Sequence, residues 1–362
     1  MPECVPAERT PLTLEFTHNL ETTFCLADGC QFENWRVAAA PDGSAWVLGY
    51  IRQGDYQQKF TLTRFATDGT VLGNTEVVST SDRYTALNAE LTVDEGGQAH
   101  VAWYSVRAPD ADAELEQRVQ VETFDGDLQR DGDPLLFTGA SETLVQAAGG
   151  KLALAGNKRV INRGGFVGVL DESRQLLWNQ SQVNSGGNAG LTALAFAPDG
   201  SATVLMDRGG GGDVTTRFGL ARFGSDGNAL WDVNLTSAFA SGYQGALARD
   251  SAGNVIVGLF LSPDAITSRS HALVENFNPD GQLRWAMRVD ASGGGVAPVV
   301  LAEPGTNRVL VATNQGLLAV ASDGASCSAY DMSMGSGRAM ALGPQHDVYA
   351  IDQRSLVRYS GL

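Results

Sequence analysis

Two kinds of turn-bearing segment alternate along almost the whole chain, and this repeat limits the fold more than any other feature. The first kind reads VAAAPDGSAWVLG at residues 37–49 and returns as LAFAPDGSATVL at residues 194–205. The second kind reads LTRFATDGTVL at residues 62–72 and returns as LARFGSDGNALW at 220–231 and VENFNPDGQLRW at 274–285. Asp-Gly pairs supply the positive-φ positions of tight hairpin turns, and the flanking runs are rich in β-branched and aromatic residues. Each segment is therefore predicted to be a β-hairpin.

Two successive hairpins make one four-stranded unit, and the units can be counted from their first turns. These turns fall near residues 42, 96, 149, 199, 252, 304 and 344, a spacing of about 50 residues until a shorter last step. One such unit is too small to bury both of its faces, whereas radial stacking around an axis buries them and leaves only short edges. The count predicts an all-β chain: a seven-bladed β-propeller that occupies residues 1–362 as a single domain, with blades from about residue 35 to 362.

The tail of the chain lacks one strand that the head supplies. After the run LVRY at residues 356–359 the chain stops at Leu362, so the last unit has only three strands. Residues 12–20, LTLEFTHNL, resemble the predicted fourth strands WDVNL at 231–235 and WAMRV at 285–289. We expect residues 12–20 to form the outer strand of blade 7, because this pairing closes the ring and removes an open edge.

The strands of a blade are named A to D from the axis outward. Candidate A strands, such as Leu191–Ala197 and Val296–Ala302, are rich in Ala and Val. Small side chains suit strands that are crowded around a narrow axis, so these residues are interpreted as core around the channel.

The alternating pattern resembles that of the bacterial seven-bladed propeller (SBBP) repeat proteins. The Asp-Gly-x-x-Leu-Trp piece is also similar to the PQQ-like repeats of non-enzymatic scaffold propellers. The resemblance extends from about Leu12 to Leu362. It implies that the Asp-Gly pairs and tryptophans are structural, so it transfers a fold and no functional residue.

Four cysteines, Cys4, Cys25, Cys30 and Cys327, allow three pairings. In this layout Cys4 precedes the closing strand and Cys327 starts strand D of the neighbouring sixth blade. We therefore predict a Cys4–Cys327 disulfide that locks the closure and a Cys25–Cys30 disulfide in the loop that follows. Paired cysteines favour an extracytoplasmic location: periplasm, cell surface or medium. An alternative interpretation of Cys4 is a lipoprotein anchor with its leader removed, since the start MPEC has neither the basic residues nor the apolar run of a signal peptide.

Composition restricts the classes of partner. The formal net charge of −16 and the pI near 4.6 repel phosphate backbones, so we expect no nucleic-acid partner. We interpret the acidity as a solubility feature. Hydrophobic residues make up 43% of the chain, which is enough for a core, but no run approaches the roughly 20 apolar residues of a membrane helix.

Function is expected in the connections from strand B to C and from D to the next A. These connections are longer and more varied than the Asp-Gly turns, and all of them emerge on one face. Arginine and tyrosine are well suited to anchor a protein or glycan partner. The candidate binding residues are Arg52, Tyr56, Arg83, Tyr84, Arg107, Arg159, Arg163, Arg208, Tyr243 and His271. A solvated loop face without a partner is the alternative.

Signals for a metal or for catalysis are few. Asp110, Asp112 and Glu114 stand at alternate positions, as calcium ligands can, but the run lacks the glycine and the twelve-residue frame of a known loop. A solvated acidic loop is the competing interpretation. The sequence has no GxSxG or HExxH motif, and no cofactor is expected.

Three functional hypotheses therefore follow from the sequence. The first is a non-catalytic binding or scaffold propeller that engages a protein or a glycan. The second is a hydrolase or lyase with its site at the channel mouth. The third is a purely structural component of a surface assembly.

Overall fold

The Asp-Gly segments form the tight turns that the repeat predicts. Gly43 and Gly200 adopt φ angles of 82° and 91°, a region that glycine occupies without a steric penalty. Asp42 Oδ1 accepts a hydrogen bond of 2.9 Å from Ser44 N, and Asp199 accepts the same bond in its own turn. Local chemistry thus fixes each turn and, with it, the register of the flanking strands.

A computed structural model describes most of the chain, and its strands form seven separate sheets arranged as blades in a ring. The predicted all-β, seven-bladed propeller is confirmed. The described residues are 2–6, 8–24, 30–53, 57–80, 84–107, 116–138, 140–158, 165–183, 190–208, 218–235, 245–261, 271–290, 298–313, 316–332, 339–352 and 354–362.

The N-terminal elements precede six blades that each contain four consecutive strands. These first elements are β1 (Arg9–Pro11), β2 (Thr13–Asn19) and a short helix α1 (Leu20–Phe24). From the axis outward, blade 1 has β3 (Cys30–Ala39), β4 (Ala45–Gln53), β5 (Gln57–Phe65) and β6 (Val71–Thr80), and blade 2 has β7 (Tyr84–Val93), β8 (Ala99–Arg107), β9 (Glu116–Phe124) and β10 (Leu135–Thr138). Blade 3 has β11 (Ala140–Ala148), β12 (Lys151–Lys158), β13 (Gly165–Leu170) and β14 (Leu176–Val183), and blade 4 has β15 (Gly190–Phe196), β16 (Ala202–Asp207), β17 (Phe218–Phe223) and β18 (Ala229–Asn234).

The remaining blades follow the same order. Blade 5 has β19 (Gly245–Arg249), β20 (Val255–Leu261), β21 (His271–Phe277) and β22 (Leu283–Asp290). Blade 6 has β23 (Val299–Ala302), β24 (Val309–Thr313), β25 (Gly316–Val320) and β26 (Cys327–Asp331). Blade 7 takes β27 (Met340–Leu342), β28 (Val348–Asp352) and β29 (Ser355–Ser360) from the end of the chain.

The head of the chain closes blade 7, as predicted. Strand β2 pairs antiparallel with β29, from Thr13 opposite Ser360 to Asn19 opposite Ser355. The predicted strand extends to residue 20, but β2 ends one residue earlier. Asn19 Oδ1 accepts a 2.9 Å hydrogen bond from the N–H of Glu21, and this helix cap starts α1.

The residues before β2 pair with two further blades, which the repeat does not predict. Glu3 bridges Arg288 of β22 in parallel, and the N–H of Cys4 donates to the Arg288 carbonyl at 2.9 Å. Strand β1 then runs parallel to β26 as a fifth strand of blade 6, with Arg9 opposite Ala329. We call residues 2–6 and 8–19 the N-terminal strap, because they cross blades 5, 6 and 7 in turn.

A disulfide ties the N-terminal strap to blade 6. It joins Cys4 to Cys327, the pair that the layout of the repeat predicts, with 5.9 Å between the two Cα atoms. Cys4 is buried, so the bond lies within the packed part of the ring. The predicted Cys25–Cys30 bond falls on Cys25, which lies outside the described residues, and stays a prediction.

The hydrophobic core is divided among the seven seams between neighbouring blades. Trp46 and Leu62 of blade 1 pack with Val101 of blade 2 in one seam, and Phe65 packs with Tyr349 in the seam between blades 1 and 7. Five similar clusters fill the other seams. Each blade thus buries both faces against its neighbours, as radial stacking requires. None of the described helical residues forms a segment of the length and apolarity that crosses a membrane.

Candidate functional site

The two ends of the ring differ in construction. We call the end with the A–B and C–D turns the turn face, and the opposite end, with the B–C and D–A connections, the loop face. Turns such as residues 40–44 and 66–70 lie on the turn face, and two backbone hydrogen bonds close each of them. On the loop face, ten residues separate β16 from β17 and ten separate β18 from β19. The loop face therefore holds the longer and more varied chain segments.

Five of the ten candidate binding residues lie at strand ends that border the loop face. Arg52 is next to the last residue of β4, and Arg208 directly follows β16. Tyr84 and His271 start β7 and β21, and Arg107 ends β8. The other five, Tyr56, Arg83, Arg159, Arg163 and Tyr243, lie outside the described residues. The backbone thus brings residues from four different blades to the same end of the ring.

Blade 2 presents a row of three residues at this end, and two of them, Tyr84 and Arg107, are candidate binding residues. Tyr84 is opposite Arg107 in the β7–β8 pair, and Arg107 is opposite Glu116 in the β8–β9 pair. Residues opposite one another on antiparallel strands lie about 5 Å apart at their Cα atoms. An aromatic, a cationic and an acidic residue therefore stand side by side across three strands, although their side chains lie outside the described part.

Arg208 is held by its own blade. Its Nη1 donates to Asn234 Oδ1 at 2.5 Å, and its Nη2 forms an ion pair with Asp232. The guanidinium crosses the sheet over Gly219, where a β-carbon would lie only 2.2 Å from Nε. The partner-binding role of Arg208 stays a prediction, and the structure shows its side chain in contact with three strands of blade 4.

His271 is half-buried at the loop-face end of blade 5. Its backbone pairs with Leu261 and Asp290, and its buried Nδ1 has no hydrogen-bond partner among the described residues. An unpaired buried polar atom costs about 1–3 kcal/mol. A group of the adjacent loops or of a bound molecule is therefore expected to pair with this nitrogen.

The acidic run that contains Asp110, Asp112 and Glu114 lies outside the described residues, so the calcium interpretation stays untested. Within the described ranges, no group of three or more His, Cys, Asp or Glu side chains is placed to hold a metal ion.

Polar contacts cross every seam between blades, and all but the Arg36–Glu90 pair, which joins the middle of strands β3 and β7, lie at the turn face. Each contact joins neighbouring blades, and six of the seven use a residue of an A–B turn. They are Arg36–Glu90 (2.7 Å), Gly149 N–Glu95 (2.7 Å), Lys151–Pro198 O (3.2 Å), Arg249–Ser201 (2.8 Å), Ser251–Asn307 (2.7 Å), His346–Glu303 (3.1 Å) and Tyr349–Gly43 O (2.5 Å). The donors and acceptors of this face are thus used to join the blades.

The most elaborate of these contacts surrounds Glu303, a carboxylate that is 1% exposed. Arg308 donates to both carboxylate oxygens at 2.6 and 2.7 Å, Thr306 donates to one of them, and His346 Nδ1 lies 3.1 Å from the other. Burial alone would raise the pKa of Glu303, but the hydrogen bonds from Arg308 and Thr306 and the Arg308 charge lower the pKa to about 2. The sequence places His346 at a turn but gives no signal that it meets Glu303, because the two belong to different blades.

Comparisons with known proteins support the fold and assign no family to this chain. No protein-family model matches the chain, and no curated protein matches it. A streptogramin B lyase structure superposes with a TM-score of 0.54 at 9% identity, over 91% of this chain and 97% of that one. At this identity the likeness shows a shared fold alone.

Two other solved structures superpose less well on this chain. The α-L-arabinofuranosidase Arb93A from Fusarium graminearum gives a TM-score of 0.48 at 9% identity, over 97% of this chain and 98% of that one. The polysaccharide lyase Uly1 gives 0.46 at 10% identity, over 69% and 59% of the two chains. These weaker likenesses carry no functional argument.

Proposed function

We propose that this chain is a non-catalytic propeller of the SBBP or PQQ-like scaffold type that works outside the cytoplasm and binds a protein or a glycan through its loop face. The observation that carries the proposal is the difference between the two ends of the ring. Inter-blade contacts occupy polar groups around the turn face, whereas the loop face carries the long connections and the candidate Arg and Tyr residues. Rigid scaffolds commonly bind through such loops.

Three further observations support this proposal. In the row Tyr84–Arg107–Glu116, Tyr84 and Arg107 are of the residue types that dominate binding energy, and they stand at the border of the loop face. The Cys4–Cys327 disulfide fits an extracytoplasmic protein. The net charge of −16 favours a protein or glycan partner over a nucleic acid.

The test is capture by the intact protein of proteins from its native envelope and of glycans on an array, repeated with Tyr84→Ala and Arg107→Ala. We expect both variants to lose capture of the same partner while their melting temperatures stay within a few degrees of the wild type. Arg284→Ala is the matched control, because Arg284 is exposed on the outer strand β22, away from the loop face. Equal capture by both loop-face variants and the control contradicts the proposal.

The second candidate function is a hydrolase or lyase, and one observation favours it. Glu303 and His346 lie in innermost turns at the turn-face mouth of the channel, and the carboxylate orients a histidine whose side chain is 42% exposed. A carboxylate–histidine pair is a common acid–base device. Hydrolysis or elimination of a glycan that is abolished by His346→Ala, with binding intact, supports this candidate over the first.

A further inference from the structure

Most outer strands carry an aromatic residue that packs on the C–D turn of the next blade. In each case the turn residue beneath the ring is a glycine, where a β-carbon would lie 2.6–2.9 Å from the nearest ring atom. The pairs are Trp178–Gly227, Trp231–Gly281, Trp285–Gly324 and, from the closing strand, Phe16–Gly69. The aromatic side chain thus occupies a fixed socket at the outer end of the seam.

Blade 1 lacks this aromatic residue. Gly73 is opposite Arg64 in the β5–β6 pair, the position that Trp231 holds opposite Arg222 in blade 4. Leu128 of blade 2 reaches the base of the empty socket, with its Cδ1 2.7 Å from where a β-carbon of Gly73 would lie. A groove of about 380 Å³ remains beside it, lined among others by Arg64, Leu72, Gly73, Thr75, Gly126 and Leu128.

The outer edge of blade 1 is open next to this groove. Strand β6 pairs only with β5 among the described residues, so the outward backbone groups of residues 71–75 are available for another strand. The edge is closed from Glu76 onward, because Arg130 of blade 2 donates to the Glu76 carbonyl at 3.3 Å and to the Val77 carbonyl at 2.6 Å. The open stretch is therefore short and coincides with the groove.

Blade 6 shows how such an edge is covered in this fold. Ser328 is opposite Ala319 in the β25–β26 pair, the position of Gly73 in blade 1, so this blade also lacks the aromatic residue. Its outer strand accepts β1 as a fifth, parallel strand, with Arg9 opposite Ala329. The chain thus contains its own example of strand addition to an outer edge without the aromatic residue.

The charges of the two edges also correspond. Arg9 forms an ion pair with Asp331 at 3.5 Å on blade 6. When Ser328 of blade 6 is aligned with Gly73 of blade 1, Asp331 corresponds to Glu76, which is exposed. Asp127, at the far side of the groove, is exposed as well. The blade 1 edge therefore offers acidic groups to a basic segment.

We propose that the outer edge of blade 1 binds an extended, basic segment of a partner protein as a fifth strand. A large apolar side chain of that segment fills the groove beside Gly73, and the basic residue that follows it lies opposite Asn74 and pairs with Glu76. This rim site is separate from the loop face and does not depend on the function proposed for that face.

The probe for this site is a fluorescein-labelled peptide of residues 5–14, the stretch that contains β1, with Glu8→Trp to fill the groove. When the arginine of the bound peptide lies opposite Asn74, it occupies the position that Arg9 occupies opposite Ala329 on blade 6. Binding to the oxidised, full-length protein is measured by anisotropy. We expect saturable binding that weakens about tenfold or more in the Gly73→Trp/Leu128→Gly variant, because this variant fills the socket from within, as in the blade 4–5 seam.

Charge reversal separates the edge from non-specific attraction. Glu76→Lys is expected to weaken the peptide several-fold, whereas Asp280→Lys, at the exposed C–D turn of blade 5, leaves it unchanged. No binding at millimolar peptide, or equal binding by wild type and the Gly73→Trp/Leu128→Gly variant, overturns the proposal. Dimerisation of the wild type that this variant abolishes, seen by sedimentation, identifies a second copy as the occupant and also overturns it.

Discussion

The indole of Trp231 on the outer strand of blade 4 packs against Gly281 in the C–D turn of blade 5, and a β-carbon at Gly281 would lie 2.8 Å from its Cδ2 atom. Trp231 Nε1 also donates to the Pro279 carbonyl of that turn at 2.8 Å. Gly281 adopts φ 80°, so the residue satisfies two demands: a left-handed turn and room for a neighbouring ring. One glycine therefore links the hairpin geometry of one blade to the packing of the next.

Comparison of Gly281→Ala with Gly305→Ala separates the cost of the left-handed turn from the cost of contact with the Trp231 ring. Both glycines have φ 80°, but nothing lies within 4 Å of a β-carbon at Gly305. We expect Gly305→Ala to lower the free energy of unfolding by about 1–2 kcal/mol through backbone strain alone. Gly281→Ala is expected to lower it by about 3–4 kcal/mol, because overpacking against Trp231 adds to the strain. Urea unfolding measures both, and equal losses would show that the ring contact contributes nothing.

In the seam between blades 1 and 2, the glycine and the large side chain have changed places: Gly73 is on the outer strand and Leu128 is in the turn. A double-mutant cycle tests whether the two residues compensate for each other. Leu128 takes the turn position of Gly281 with φ 63° and occupies only the base of the space above Gly73. Gly73→Trp alone is expected to destabilise by about 2–3 kcal/mol through overpacking. Leu128→Gly alone is expected to cost about 1 kcal/mol or less, because relief of the left-handed strain, about 1–2 kcal/mol, offsets most of the lost burial, about 2 kcal/mol. The double variant is expected to recover about 1–2 kcal/mol relative to the sum of the single changes. Additive losses in urea unfolding would refute the compensation.

The sequence predicts the contacts that form within one repeat unit better than the contacts between distant parts of the chain. Turn residues such as Asp42 and Gly43 act within one hairpin, so the blade count and the β2–β29 closure can be predicted from the repeat. The pairing of residues 2–11 with blades 5 and 6 has no periodic signal, because β1 is only three residues long and no repeat unit predicts its partner.

The contacts between blades are a second part of the structure that the sequence does not predict. The seven contacts between blades all differ in chemistry, so none recurs as a pattern, and Glu303 and His346 are 43 residues apart. Arg208 was predicted from its loop-face position, but its pairing with Asp232 depends on cross-strand geometry that a single sequence does not reveal. The exchange of Gly73 and Leu128, in contrast, is visible in the sequence once the repeats are aligned.

The Cys4–Cys327 disulfide is expected to contribute strongly to stability. It closes a loop with a sequence separation of 323 residues, for which the chain-entropy model gives about 6 kcal/mol at most, less any strain. We expect reductant to lower the urea midpoint of the wild type and to release the N-terminal strap to proteolysis. Cys4→Ser/Cys327→Ser, which retains the other two cysteines, should start at the lower midpoint and show no further change. A response of this variant to reductant as large as that of the wild type would assign the effect to Cys25 and Cys30.

The ionisation of Glu303 should stabilise the ring above its unfolded-state pKa. Its pKa falls from 4.5 to about 2 in the folded protein, where the Arg308 and Thr306 hydrogen bonds outweigh the effect of burial. The folded state therefore holds fewer protons in this range, so the stabilisation is full above pH 4.5 and is lost as pH falls towards 2. Glu303→Gln is expected to flatten this acid limb of the melting temperature and to lower stability at neutral pH. Glu172→Gln, at an exposed turn of blade 3, is the control and should retain the limb of the wild type.

Glu275 of β21 should act with the opposite sign at higher pH. It is 2% exposed, its Oε2 has no hydrogen-bond partner among the described residues, and burial raises the pKa from 4.5 to about 7. The unfolded chain thus releases this proton first, so stability falls as pH rises from 4.5 to about 7, by about 3 kcal/mol. Glu275→Gln is expected to match the wild type near pH 4.5 and to exceed it in urea unfolding above pH 7. Glu122→Gln is the control: this buried carboxylate accepts a 2.6 Å bond from Arg130, so its loss should destabilise the protein at neutral pH, and a gain there equal to that of Glu275→Gln would refute the assignment.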